Sequence, residues 1–181
     1  MSDPVSALNG ASFKGFATIR EIGPLGMITL RAKGLKSLDK AIKAVTGTKV
    51  PAHRRIEING DRACGWMSTD EYLLIVPYAG VADALAKLAK SLAGEHHLAV
   101  DVSDARAVFR VEGDLAADVL RKLSPVDFDT LEPGELRRTR AAQVAAAIWQ
   151  QDGGFTLVCF RSVAAYVMGL LSHSAQPGSE L

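Results

Sequence analysis

The chain holds few of the residues from which catalytic and metal sites are built. It has two cysteines and four histidines in 181 residues. Cys64 and Cys159 lie far apart, each in an apolar run, with no CxxC pair and no histidine at zinc-finger spacing. Both read as buried, reduced thiols. His96 and His97 are adjacent, and neighbouring side chains on a strand point to opposite faces, so the pair cannot clamp one metal ion. His53 and His173 lie near a proline and near the C-terminal tail, where neither is expected to be fixed. GxGxxG, the Walker-type GxxxxGK[ST] and GxSxG are all missing, which argues against a dinucleotide loop of the chain's own and against a nucleophile elbow. Aromatics make up 6% of the residues, too few for a base-stacking platform. The 21 basic and 20 acidic side chains nearly cancel, so no global field points to nucleic acid or a membrane surface. No run approaches the roughly 20 apolar residues of a membrane span, and MSDPVSALNGASFKG lacks the features of a signal peptide. A cytoplasmic location is expected, with neither nucleic acid nor membrane as a partner.

What the chain does have is apolar content, 48%, enough for a sizeable core in one domain or in two small repeats. Residues 1–15 are small and polar and are expected to form a flexible arm. Strands are expected near Ala17–Glu21 and Met27–Arg31. In LKSLDKAIKAV, Leu35, Leu38, Ala41, Ile42 and Val45 recur at helical spacing, and Gly47 suits a helix terminator. RRIEING ends in Asn59-Gly60, a hairpin signal that makes RACGWM the returning strand. The continuous Leu73-Leu74-Ile75-Val76 run predicts a strand buried on both faces. VADALAKLAKSLAG is an amphipathic helix closed by Gly94. HLAVDVSDARAVFRVEG predicts two short strands joined near Ser103–Asp104.

A second round follows: a strand in AVFRVEG, a helix in DLAADVLRKL, and a loop in SPVDFDTLEPGE. LRRTRAAQVAAAIWQQ is helical by propensity. It leads through Asp152-Gly153-Gly154 into the strand FTLVCF, so residues 138–149 read as one strand. Ser162 would cap an apolar helix, SVAAYVMGLL, before a tail at 173–181. The fold class is α+β, a β-α-β-β-α-β pattern of ferredoxin-like type appearing twice, the second time incomplete. A single domain over 16–172 is expected, with lobes at 16–103 and 104–172.

A few charged residues are placed where chemistry is conceivable. Asp101 lies in an apolar strand, where it could be a base of raised pKa; a turn-closing role is commoner for an aspartate two residues before Ser103. Asp127 and Asp129 read as loop residues. Arg137, Arg138 and Arg140 form the densest basic patch, and Arg138 and Arg140 would share one strand face. They either guard an edge strand with charge or contact an acidic partner. No group of residues assembles a nucleophile, a base and an orienting partner, so no catalytic, cofactor-binding or metal residue is assigned to this chain.

Several segments taken in order, GWMSTDEYLLIVP, VDVSDARAVFRVEG, DVLRKLSPVDFD, RTRAAQVAAAIWQ and FRSVAAYVMGLL, resemble the gamma subunit family of heterotetrameric sarcosine oxidase. The likeness runs from about Arg54 to Leu171 and extends to the folate-binding domain of aminomethyltransferase. It implies a non-catalytic subunit of a flavoenzyme complex that oxidatively demethylates sarcosine to glycine and passes the one-carbon unit to tetrahydrofolate. FAD, FMN, NAD and tetrahydrofolate would be carried by partner subunits, and the partners would be the alpha, beta and delta subunits. In the aminomethyltransferase relatives a catalytic aspartate follows an Asn-Gly-type stretch. Here Asn59-Gly60 leads to Asp61 in a different setting, so no role is carried over. The interface candidates are Trp66, Tyr166, Arg138 and Arg140. Trp66 could equally fill the chain's own core, and the C-terminal helix with Tyr166 offers apolar surface on more than one side. A stand-alone folate-binding or one-carbon-transfer protein is the alternative.

Overall fold

The structure, a computed structural model, describes residues 4–181. In chain order the strands and helices are β1 (Ser12–Lys14), β2 (Thr18–Glu21), β3 (Gly26–Ala32), α1 (Leu38–Thr46), β4 (Ile56–Asn59), β5 (Arg62–Ser68), β6 (Glu71–Val76), α2 (Val81–Ser91), β7 (His97–Asp101), β8 (Arg106–Glu112), α3 (Ala116–Arg121), β9 (Leu136–Ala141), β10 (Val144–Gln151), β11 (Gly154–Phe160) and α4 (Ala164–Ser174). They form two compact units. One is Leu25–Ser103; the other joins the chain up to Pro24 with Asp104–Leu181.

The Leu25–Ser103 unit is a five-stranded antiparallel sheet in the order β4-β5-β6-β3-β7. Strands β3, β5, β6 and β7 with α1 and α2 make the β-α-β-β-α-β motif, and β4 adds a strand at one edge. Its core gathers Ile28, Leu30, Ile42, Leu74 and Leu88. α1 forms because Leu38, Ala41, Ile42 and Val45 line one buried face. It ends at Gly47, which takes φ +73° and donates its N–H to the Lys43 carbonyl. Its N-terminal amides are served from a distance: Glu95 accepts from the N–H groups of Lys36 at 2.8 Å and Ser37 at 3.1 Å. All six residues of β6 are buried, as the unbroken apolar run predicts. The β4–β5 turn lies one residue later than the Asn-Gly signal suggests. Asn59 pairs with Arg62, so Gly60 and Asp61 form the loop, and Gly60 alone takes a positive φ, +61°. A left-handed first loop position is the mark of a II′ turn.

The other unit is a six-stranded sheet in the order β1-β2-β8-β11-β10-β9. Its core contains Ile19, Phe109, Leu120, Ile148, Leu157 and Val167, with α3 and α4 contributing to it. Among the described residues no strand follows α4 to complete the repeat beginning at β8 in sequence order. In space the place is filled: β2 pairs antiparallel with β8, Thr18 opposite Glu112 and Glu21 opposite Phe109. It occupies beside β8 the position β7 holds beside β3. This places residues up to 24 with the second lobe, where the sequence reading had assigned 16–103 to the first. A strand's partner is set by long-range pairing, which local pattern does not carry.

Four further expectations change. Of the expected flexible arm at 1–15, residues 1–3 lie outside the described residues, and the remainder is tied down. Ser12–Lys14 pair with β2, and the buried carboxylate of Glu21 accepts from Ser6 Oγ (2.8 Å) and from the N–H groups of Leu8 (3.1 Å) and Gly10 (2.9 Å). Arg161 donates to the carbonyls of Val5 and Ser6. The expected tail at 173–181 is likewise held. α4 runs to Ser174, Ala175 is buried and accepts from Phe16 N–H, and Lys122 Nζ donates to the Ser174 carbonyl at 2.8 Å and to the Ser179 carbonyl. The single strand expected over 138–149 is a hairpin, β9 and β10, turning at Ala142-Gln143 with Ala142 at φ +50°. No Gly, Asn or Pro marks that turn, which is why it was not legible. Ser162 caps nothing: Arg161–Val163 forms a 3-10 turn ahead of α4, whose first turn has no side-chain cap.

The Glu21 cluster gives a direct test. Replacing Glu21 by alanine removes the acceptor of Ser6 Oγ and Leu8 N–H and one of the two acceptors of Gly10 N–H, and is expected to cost on the order of 1–3 kcal/mol in urea unfolding. A Glu21→Ala protein as stable as the wild type would show that these hydrogen bonds add nothing to stability.

Candidate functional site

The four interface candidates fall into both units. Trp66 lies on β5, half-buried, its ring partly packed against the core of the Leu25–Ser103 unit. The His53 ring meets it edge to face, with centroids 4.4 Å apart at 82°. The Trp66 backbone N–H donates to the Arg55 carbonyl at 2.9 Å, which docks the 51–55 loop beside it. A β-bulge between Trp66 and Ser68 follows, at the turn into β6. Trp66 is thus partly core and partly surface. Asp70 and Glu71 shape the turn after it: Ser68 Oγ donates to Asp70 at 2.7 Å, and Arg31 reaches Glu71 at 3.0 Å and Asp70 at 3.7 Å.

In the other unit Arg138 and Arg140 are exposed on β9, the edge strand of the six-stranded sheet. They stand opposite Ala147 and Ala145 and share one face, as the alternation predicts. Arg137 faces the other way and pairs with Glu135. Tyr166 is 48% exposed on α4, whereas Val167 and Leu171 turn into the core. One side of α4 is therefore spent on internal packing. Phe160, 47% exposed at the end of β11, lies under the Arg106 guanidinium at 4.2 Å, an aromatic surface residue that the sequence reading passed over. Its signal was the alternation of FTLVCF, which sends Phe160 to the face opposite Cys159.

The residues weighed for chemistry are engaged structurally. Asp101 accepts from Ser103 N–H at 2.9 Å and from Ser103 Oγ at 2.5 Å, closing a turn. Ser103 Oγ in turn accepts from Met27 N–H at 2.9 Å. Asp61 is exposed at the β4–β5 hairpin tip, 3.9 Å from the Arg62 guanidinium, an open setting unlike that of a general base shielded from water. Asp127 accepts from Asp129 N–H in its own loop, and Asp129 pairs with Arg121. Both cysteines are buried and unbridged. Burial pushes the Cys64 thiol far above its ordinary range and Cys159 to about 11, so neither is a thiolate at neutral pH. Among the described residues no group of three or more His, Cys, Asp or Glu side chains could hold a metal ion, and no helix is long and apolar enough to cross a membrane.

An α+β chain of two antiparallel-sheet units, each a β-α-β-β-α-β motif faced by two helices, defines the class. Its fold is shared with a chain of heterotetrameric sarcosine oxidase from Corynebacterium sp. U-96 in complex with pyrrole 2-carboxylate, at TM-score 0.80 and 24% identity, over 91% of this chain and 87% of that one. It is shared also with the glycine cleavage system aminomethyltransferase T from Bartonella henselae, at TM-score 0.66 and 11% identity, over 87% of this chain and 46% of that one. The family model for the sarcosine oxidase gamma subunit family matches residues 36–176, and the chain belongs to that family. The sarcosine oxidase subunit gamma of Corynebacterium sp. (strain U-96) is 33% identical over 138 residues, which are 74% of this chain and 66% of that protein, just under two thirds of its length.

Two outcomes are expected from these environments. Neither thiol reacts with a disulfide reagent at pH 8 until the protein unfolds; rapid labelling of the folded chain would contradict the burial. Ser68, and secondarily Arg31, hold the Asp70 carboxyl below its ordinary value. The folded-state pKa is lower than the unfolded one, so the ionised group stabilises the fold above pH ~4 and this is lost as the pH falls through the lower folded value. Asp70→Asn is expected to be less stable than wild type at pH 7, with the gap closing in acid; a gap constant down to pH 2 would exclude the effect.

Proposed function

We propose that this chain is a non-catalytic subunit of a heterotetrameric sarcosine oxidase. In such a complex larger partners oxidise sarcosine to glycine, and the one-carbon unit passes to tetrahydrofolate. Membership in the gamma subunit family carries the reading. It is supported by how the polar residues are used. Asp101 closes a turn, Asp118 pairs with Arg121 within α3, and Glu21 anchors the N-terminal segment. Glu71 receives Arg31. These groups are committed to holding the fold, and a general acid or base needs a free position beside a substrate.

The partners are proposed to be alpha, beta and delta subunits, with FAD, FMN, NAD and tetrahydrofolate carried by them. Trp66, Tyr166, Arg138 and Arg140 are proposed as contact residues. Trp66 and Tyr166 supply aromatic area at the surface, and Arg138 and Arg140 supply two forked donors on an edge strand. A cytoplasmic location is part of the same proposal.

Co-expression with the larger subunits from the same source tests it. The purified chain alone is expected to be colourless above 350 nm, to leave sarcosine unoxidised, and to give no saturable heat with tetrahydrofolate. Co-expressed, it is expected to purify in a stoichiometric yellow complex. Flavin absorbance on the isolated chain, or tight tetrahydrofolate binding by it, would favour the stand-alone reading.

A further inference from the structure

The chain's near-neutral charge hides an uneven distribution. Residues 40–62 hold six cations, Lys40, Lys43, Lys49, Arg54, Arg55 and Arg62, against two anions, Glu57 and Asp61. That segment carries +4 where the whole chain carries +1, so the remainder carries −3. The segment lies within the Leu25–Ser103 unit, and Lys40, Lys43, Lys49 and Arg54 are exposed. Lys49 lies 3.4 Å from Glu57, Arg62 donates to the Val45 carbonyl at the end of α1, and Asp39, just before the segment, accepts from Val50 N–H at 3.3 Å. Lys40, Lys43 and Arg54 stand exposed in the same segment.

The centre of this region has an unusual backbone. Arg55 N–H bonds the Ala52 carbonyl at 3.0 Å, closing a turn with His53 and Arg54 at its middle. Arg54 takes φ +57° and His53 does not take a positive φ. A left-handed residue at the third position is the type II arrangement, where glycine or asparagine is the low-energy choice. Arginine there is strained. The other non-glycine residues with positive φ are Asn9, Ala142 and Asp152; the last two lie at the tips of the β9–β10 and β10–β11 hairpins, where the tight turn demands it. Arg54 lies outside any hairpin. Its side chain is exposed at the turn, next to the His53 ring that meets Trp66. Strain and positive charge in this loop lie beside an aromatic pair, exposed His53 in the loop and half-buried Trp66 on β5.

We propose that the 49–55 loop with Trp66 is a docking surface for an acidic protein surface on a partner subunit. The inference rests on the accessory-subunit reading and adds the face and its chemistry. The Arg54 fork and Lys49 would meet carboxylates at the rim, while His53 and Trp66 supply apolar area beside them. Exposed cations at a rim act mainly on association rate and salt dependence.

Assembly with the co-expressed larger subunits, measured as Kd by interferometry across 50–500 mM salt, tests it. Wild type is expected to bind more weakly as salt rises. Lys49→Glu/Arg54→Glu is expected to bind at least about tenfold more weakly at low salt and to lose most of its salt dependence. Lys87→Glu/Lys90→Glu, on the exposed side of α2, is the matched control and is expected to bind as wild type does. Arg54→Gly separates docking from folding. It relieves the left-handed strain, so its Tm is expected to hold or rise while assembly weakens severalfold. Unchanged affinity in the Lys49/Arg54 variant, or an equal loss in the α2 control, overturns the docking surface and leaves the subunit reading intact. If Arg54→Gly lowers Tm without weakening assembly, the residue is structural and the proposal fails. Tight binding of duplex DNA through these cations, with assembly untouched, would reassign the surface to nucleic acid. Wild type that does not assemble at all removes the accessory-subunit reading, and this inference with it.

Discussion

The pairing of β2 with β8 is the constraint on which the architecture turns. Four residues, Thr18 to Glu21, lie against Glu112 to Phe109, and Ile22 N–H extends the contact to the Val108 carbonyl. Everything from Leu25 to Ser103 is built between these two strands. Without β2, the flank of β8 opposite β11 would present a row of unpaired backbone groups. With it, the sheet gains Ile19 for its core and Glu21 as the anchor of the N-terminal segment. The entropic cost of closing so long a loop grows only with the logarithm of its length. A folded insertion between two paired strands is therefore thermodynamically tolerable.

The same motif is thus built twice by different chain orders. In the inserted unit the strand beside β3 is β7, which follows α2 directly. In the other unit the equivalent place beside β8 is taken by a strand from the start of the chain. Helical and strand periodicity carried most elements into view: α1 from its apolar spacing, α2 from the Val81–Leu88 stripe, and β6 from its unbroken run. These signals are local, because burial of one helix stripe or two strand faces leaves a direct pattern in the residues themselves. Partner choice does not. Nothing within TIRE says that it lies against FRVE, and no turn residue announces the reversal at Ala142-Gln143. The Glu95 carboxylate that serves the start of α1, and Lys122 at the end of α4, are equally invisible in sequence, since both act across long separations.

The site was legible to a similar degree. Arg138 and Arg140 share a face on an edge strand, because alternation is a property of the extended backbone. Asp101 closes a turn, because a carboxylate two residues before a serine has a short path to its amide and hydroxyl. Trp66 packs against the core and keeps part of its side chain at the surface. What could not be read was the left-handed Arg54, for a residue's φ leaves no trace in composition unless glycine or asparagine takes the position.

The distribution of polar groups gives the protein its character. Glu21, Asp101 and Asp118 are held by donors that belong to the fold, and the two thiols are protonated by burial. Satisfied groups of this kind stiffen a structure, since each hydrogen bond from the fold fixes the carboxylate in one place. The exposed cations of residues 40–62 are different. They are solvated, cost little to present, and leave the remainder of the chain net negative. A near-neutral molecule with separated charge carries a directional field where its net charge alone suggests none. Orientation toward a neighbour can therefore be encoded in the placement of charge alone.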